Sequence, residues 1–274
     1  MFPRWNRSFP YPVDYNDHFE TPEIAYRDIL PLLDFVHGET KSRNSHRIYD
    51  PYFCNGRTKE LLNKLGFMNV IHEQRDFYHD IDNNSIPLHD TMVTNPPFSD
   101  QHKKRCLEFA LDQLRTHSRP FFVLMPNYVA AREYYRNLLE KDNHDSDIVY
   151  LVPSMPYEYD HPEGTGKDSP PFNSLWYCGI GKDLVTKLQQ SDLWQSQSLL
   201  RSLNDLRQNK VIPTNKRPNP KQRQKRKSST EGAITLPQTV AAENIETSLP
   251  TDAVKKRKRS KHRNEMGLRT KKRF

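Results

Sequence analysis

The segment Pro120-Phe121-Phe122-Val123-Leu124-Met125 is apolar almost throughout. A strand with one wet face alternates polar and apolar residues, so a strand lacking polar positions is covered on both sides, as in a parallel sheet between two layers of helix. The flanking sequence repeats the theme. Arg47-Ile48-Tyr49 predicts a short strand ending at Asp50-Pro51, followed by a helix with Leu61, Leu62 and Leu65 on one face and Gly66 at its stop. Phe67–His72 predicts a second strand ending at Glu73, and Thr91–Thr94 a third, running into Asn95-Pro96-Pro97-Phe98. A helix carrying Leu107, Ala110, Leu111 and Leu114 leads to the apolar run, and a helix with Tyr128, Ala131, Tyr135 and Leu138 follows it. Ile148–Val152 and Ser174–Ile180 complete the strands. Ahead of them, Ala25, Ile29, Leu32 or Leu33 and Val36 mark an amphipathic helix with Thr21 as its cap and Pro22 at its first position. Strands alternating with helices predict an α/β fold with a mostly parallel central sheet and helices on both faces.

This pattern does not extend over the whole chain. The apolar residues AVILMFWYC make up 34% of the 274 residues, below the ~45% or more of a compact domain, so part of the chain is expected not to fold. Residues 216–274 hold 18 Lys and Arg against 5 Asp and Glu, leaving 24 and 29 for residues 1–215 out of totals of 42 and 34. An acidic body thus carries a basic tail, with runs at Lys221–Lys227, Lys255–Arg259 and Lys271–Arg273. A segment so charged and so poor in aromatics is expected to be disordered. The predicted organisation is an N-terminal extension over 1–16, an α/β domain over 17–181, a helical extension over 182–215 with Leu199, Leu200, Leu203 and Leu206 on one face, and the disordered tail from 216.

Other classes are excluded on simple grounds. The chain has no apolar stretch of the ~20 residues a membrane span needs and no signal-peptide pattern, so it is expected to be soluble and intracellular, without a membrane partner. Cys54, Cys106 and Cys178 form neither a CxxC pair nor a disulfide framework, and the eleven His include no HExxH, so no metal is expected. Cys54 lacks a nearby His and reads as turn packing.

In an open α/β sheet ligands bind beyond the carboxyl ends of the strands. Three such ends stand out: DPYFCNG at Asp50–Gly56, Glu73 with Asp76-Phe77, and NPPF at Asn95–Phe98. Together with DHFETP at Asp17–Pro22, they resemble the motifs of class I S-adenosylmethionine-dependent methyltransferases of the amino-methylating type, N6-adenine methyltransferases among them. The resemblance covers roughly residues 15–180, in the order cofactor motifs first and catalytic motif second. It implies a Rossmann-like class I methyltransferase fold, S-adenosyl-L-methionine as cofactor, and a catalytic motif made of Asn95, Pro96, Pro97 and Phe98. By the same resemblance Thr21, Pro22, Asp50, Tyr52, Gly56 and Asn95 line the cofactor site, Asp50 near its methionine part. Glu73 would accept the ribose hydroxyls, while Asp76 and Phe77 would meet the adenine. DPYFCNG departs from the family in having one glycine where its turn usually has two, with Asn55 in front.

The residue types suit such a reaction. An amino group conjugated to a purine, or an amide, is a poor nucleophile because its lone pair is delocalised. Two oxygen acceptors aimed at its hydrogens, the Asn95 side chain and the Pro96 carbonyl, draw it toward tetrahedral geometry and offset the positive charge of the transition state. Phe98 would stack on the planar target. Both adenine N6 in nucleic acid and glutamine amide nitrogen in protein fit this motif. The basic tail favours nucleic acid and import into the nucleus or nucleolus. The loop over 153–173, with Tyr157, Tyr159, His161, Lys167 and Phe172, offers the mix of aromatic and polar groups that an unstacked base needs. RNA is preferred over DNA because structured RNA presents unpaired adenines. DNA, a protein glutamine substrate, or a nucleic-acid-binding scaffold without turnover are the alternatives, and a protein partner subunit is compatible with any of them.

Overall fold

Among the described residues, seven strands join in one sheet: β1 (Arg47–Tyr49), β2 (Asn69–Ile71), β3 (Thr91–Thr94), β4 (Phe121–Pro126), β5 (Ile148–Leu151), β6 (Ser174–Gly179) and β7 (Leu199–Leu200). The structure, a computed structural model, describes residues 17, 19–38, 42–141, 143–159 and 172–212. The expectations for residues 1–16 and the basic tail, and the candidate residues His161 and Lys167, lie outside these described residues. Strand order is β2-β1-β3-β4-β6-β5-β7. Neighbours pair in parallel from β2 to β4 and antiparallel from β4 to β7, so only β6 and β7 run against the other five. The fold is therefore α/β with a mixed, mostly parallel sheet.

Among the described residues, eight α-helices accompany the strands: α1 (Glu23–His37) before β1, α2 (Arg57–Lys64), α3 (Phe77–Asp82), α4 (His102–His117), α5 (Glu133–Lys141), α6 (Lys182–Gln189) and α7 (Asp192–Ser196) between strands, and α8 (Leu203–Gln208) after β7. All six residues of β4 are buried, as its composition requires. Because side chains alternate along a strand, Phe122 and Leu124 pack with Ile29 of α1, Leu61 of α2 and Val185 of α6. Phe121, Val123 and Met125 pack on the other face with Phe77 of α3, Leu111 of α4 and Tyr135 of α5. Gly179 pairs with Phe121 across β4 and β6, and a Cβ there would lie 2.2 Å from the Phe121 ring, so the missing side chain is what admits the phenyl group.

Three predicted elements differ. The helix expected from Tyr128 begins as a 3-10 turn over Asn127–Ala131 and becomes α-helical only at Glu133. The Ala130 N–H is taken by the Tyr177 hydroxyl at 3.0 Å, and Arg132 is extended. The stretch 182–208 is not all helix. Leu199 and Leu200 fit a helical face, yet they pair with Leu151 and Tyr150 as an added edge strand, and α8 starts afresh on a Ser202/Asp205 capping box. At the start of α1, the cap position falls on Pro22 rather than Thr21, which leaves the buried Thr21 side chain to a different use.

Candidate functional site

From β1 the chain runs through α2 to β2 on one side, and α3 then carries it back past β1 to β3 on the other. The strands part direction between β1 and β3, which makes their carboxyl ends the switch-point crevice where ligands of open α/β sheets bind. Asp50 directly follows β1 and Asn95 directly follows β3. The two ends are stitched together by the Thr94 hydroxyl, which donates to Asp50 Oδ1 at 2.5 Å.

Asp50 is only 3% exposed. Burial pushes its carboxyl above the usual range, opposed by His72 and by hydrogen bonds from Thr94, Thr58 and the Tyr52 backbone. His72 Nδ1 sits 3.4 Å from Asp50 Oδ2. Beyond Asp50 the chain turns sharply, with Cys54 at φ +44° and Gly56 at φ +84°. The Phe53 ring folds back over Gly56, where a Cβ would lie 2.8 Å away, and stacks on His72 with ring centroids 4.9 Å apart. Burial raises the Cys54 thiol to about 12, consistent with packing rather than nucleophilic chemistry.

A narrow cleft of about 300 Å³, open mouth included, lies between this turn and the segment before α1. Its lining is rich in acceptors: Asp50, Glu20, Thr21 and Asn95 face it, with Arg57 the one cation of the lining among the described residues. Arg57 approaches Glu20 at 3.9 Å. The side-chain amide of Asn95 donates to the Phe19 carbonyl at 3.1 Å, whereas its buried Oδ1 has no hydrogen-bond partner among the described residues. Asn55 Nδ2 is likewise buried and unbonded. Pro96 and Pro97 are buried, and half-buried Phe98 stacks on Phe19 at 6.1 Å and meets the edge of Phe172 at 4.7 Å. The Phe98 carbonyl accepts from Lys103 Nζ.

Of the sequence-predicted residues, Thr21, Asp50, Tyr52 and Asn95 line this cleft; Gly56 lies in the turn beside it under the Phe53 ring, Pro96, Pro97 and Phe98 follow Asn95 outside its lining, and other candidates lie elsewhere. Pro22, half-buried, sits at the N-cap of α1. Tyr52 borders the cleft, but its side chain is buried and its hydroxyl pairs with that of Tyr78 at 3.1 Å. Glu73 points outward, its side chain 61% exposed and 3.8 Å from Arg75. Asp76 caps α3, accepting from the Tyr78 and His79 N–H groups, and Phe77 is fully buried in the core. Tyr157 and Tyr159 are both buried, the first donating to Asp28 and the second to Ser174, each at 2.6 Å.

Sequence reasoning passed over His72, Asp17 and Phe19. With Ile71 as the last residue of β2 and Val70 buried, alternation turns His72 inward and Glu73 outward, and that boundary was the available signal. Asp17 and Phe19 stood within DHFETP without a role. Among the described residues no group of three or more His, Cys, Asp or Glu is placed to hold a metal, and no helix is long and apolar enough to cross a membrane. A scan against protein-family models finds no match, and no curated protein matches the chain.

Proposed function

We propose that this chain is an S-adenosylmethionine-dependent methyltransferase acting on an exocyclic amino group, adenine N6 in RNA, and that its sheet is a class I methyltransferase fold. One observation carries the reading. At the switch point beside Asp50, the Asn95 amide nitrogen is committed to Phe19, so the oxygen that stays buried and unbonded is the acceptor a target amine requires. A buried acceptor without a donor costs ~1–3 kcal/mol, and a substrate N–H recovers it.

The lining also fits the cofactor. The carboxylates of Asp50 and Glu20 suit its positive charges, the Arg57 guanidinium suits its carboxylate, and the unbonded Asn55 amide is a spare donor. When bound, the cofactor supplies an electrophilic methyl group on a cationic sulfur. Thr21 and Asp50 would hold it, with Tyr52 at the border of the cleft, while Gly56, covered by the Phe53 ring, would shape the turn. Glu73, Asp76 and Phe77 do not line the cleft, and the proposal does without them.

Asn95 Oδ1 accepts one hydrogen of the target amine and the Pro96 carbonyl the other, which returns the lone pair to nitrogen and offsets the charge as it develops. Phe98 stacks on the planar target and orients it. No strong base is needed, since the proton leaves a nitrogen made acidic by alkylation. RNA as the polymer, and nuclear or nucleolar residence, rest on the Lys/Arg runs beyond residue 216.

Transfer of labelled methyl from S-adenosylmethionine to RNA, DNA and protein fractions, with Asn95→Ala as control, tests the proposal. N6-methyladenosine in RNA, lost in the variant, upholds it. Label in DNA alone changes the polymer, label in protein alone moves the substrate to glutamine, and absence of label with measurable cofactor binding leaves a binding scaffold.

A further inference from the structure

The Pro-Pro step of NPPF removes two backbone donors, so the loop after β3 has no N–H of its own between Asn95 and Phe98 with which to anchor itself. The next two donors both go to a residue about eighty positions upstream. Phe98 N–H donates to Asp17 Oδ1 at 3.1 Å, and Ser99 N–H donates to both Asp17 oxygens at 3.0 Å. Two residues further on, the Phe19 carbonyl holds the Asn95 amide and the Phe19 ring lies on Phe98. The charge of Asp17 also acts on His102 and Lys103 in the first turn of α4, which has no acidic residue of its own.

We propose that Asp17 is a positioning residue: its carboxylate, clamped on the Phe98 and Ser99 amides, sets the NPPF loop so that Asn95 Oδ1 and the Pro96 carbonyl converge on the target amine. The proposal rests on the methyltransferase reading above. Hydrogen bonds from N–H to a carboxylate are charge-assisted and stronger than those to a neutral acceptor, and the two amides so held replace the anchoring that the prolines give up. The same segment continues into Glu20 and Thr21 of the cleft, so the element that borders the cofactor also orients the acceptors. Asp17 touches no reacting atom; it acts through the loop.

The test uses the full chain with Asp17→Ala and Asp17→Asn, the latter keeping one oxygen acceptor. Asp17→Ala is expected to lower kcat by about 10- to 100-fold, the scale of an ångström-sized misplacement, with KM for the cofactor within about threefold. Asp17→Asn should recover part of the loss, and it decides the matter if the alanine variant does not fold. Independently of activity, the Phe98 and Ser99 amides should lose hydrogen-exchange protection in Asp17→Ala. Unchanged kcat in both variants of an active enzyme overturns the proposal, as does unchanged protection of the two amides. If the wild-type chain transfers no methyl to any polymer, the methyltransferase reading falls and the exchange measurement alone decides whether Asp17 holds the loop.

Discussion

Asn95 and Asp50 carry opposite demands on one crevice, and each makes a separate prediction. On the proposed function the Asn95 oxygen is a preorganised acceptor, and removing one such group costs about 10²–10³ in kcat. Asn95→Ala should therefore lose at least 100-fold in methyl transfer while cofactor affinity, measured by calorimetry, stays within about threefold. Asp50 concerns binding. With its carboxyl raised by burial, the native state keeps a proton over a pH window in which the unfolded chain, titrating near ~3.9, has lost it. Stability of the ligand-free protein then falls as pH rises through that window. A cationic ligand reverses the sign because it favours the ionised form, so cofactor affinity should weaken as pH falls toward the raised value and Asp50→Asn should flatten the profile. Melting temperatures against pH, with and without cofactor, read both effects. These two residues were legible because each sits in a short motif at a strand end. His72 and Asp17 were not: the first depends on a strand boundary within one residue, the second on a contact made across some eighty residues.

At the level of elements, continuous apolar runs were legible and shared edges were not. Phe121–Met125 reads as a strand covered on both faces, and the structure buries it fully. Nothing in the Leu199/Leu200/Leu203/Leu206 spacing distinguishes a helix from an edge strand followed by a capped helix, because the choice is made by the open hydrogen-bonding edge of β5. Gly179 is a similar case, an ordinary residue in sequence whose value comes from its partner. Gly179→Ala drives a methyl group into the Phe121 ring, and overpacking of this kind costs ~1–3 kcal/mol or more. The expected outcome is a loss of about 3 kcal/mol in urea unfolding, largely restored by adding Phe121→Leu. Equal stability of wild type and Gly179→Ala would mean that β4 and β6 do not share this register.

Across the whole molecule, the packed sheet extends beyond the point where the predicted α/β domain ends. The sequence suggested a domain closing at 181 with a helical appendage, but β7 pairs with β5, Leu206 and Ile212 are buried with the residues of α4 and α5, and the Asn127 side chain donates to the Val211 carbonyl at 2.5 Å. Chain shortening separates the two views. A chain ending after Ile212 keeps every described contact and should melt within about 2 °C of the full length. It loses all 18 Lys and Arg of the tail, so its affinity for RNA should fall and the slope of log affinity against log salt should become shallower. A chain ending at Ser198 forfeits the burial of Leu199, Leu206 and Ile212, at ~1.5–3 kcal/mol each, and bares the edge of β5. That sum is of the order of a domain's entire ~5–15 kcal/mol, so this shorter chain should show no cooperative transition by circular dichroism. A sharp transition at the full-length temperature would return residues 199–212 to the status of an appendage.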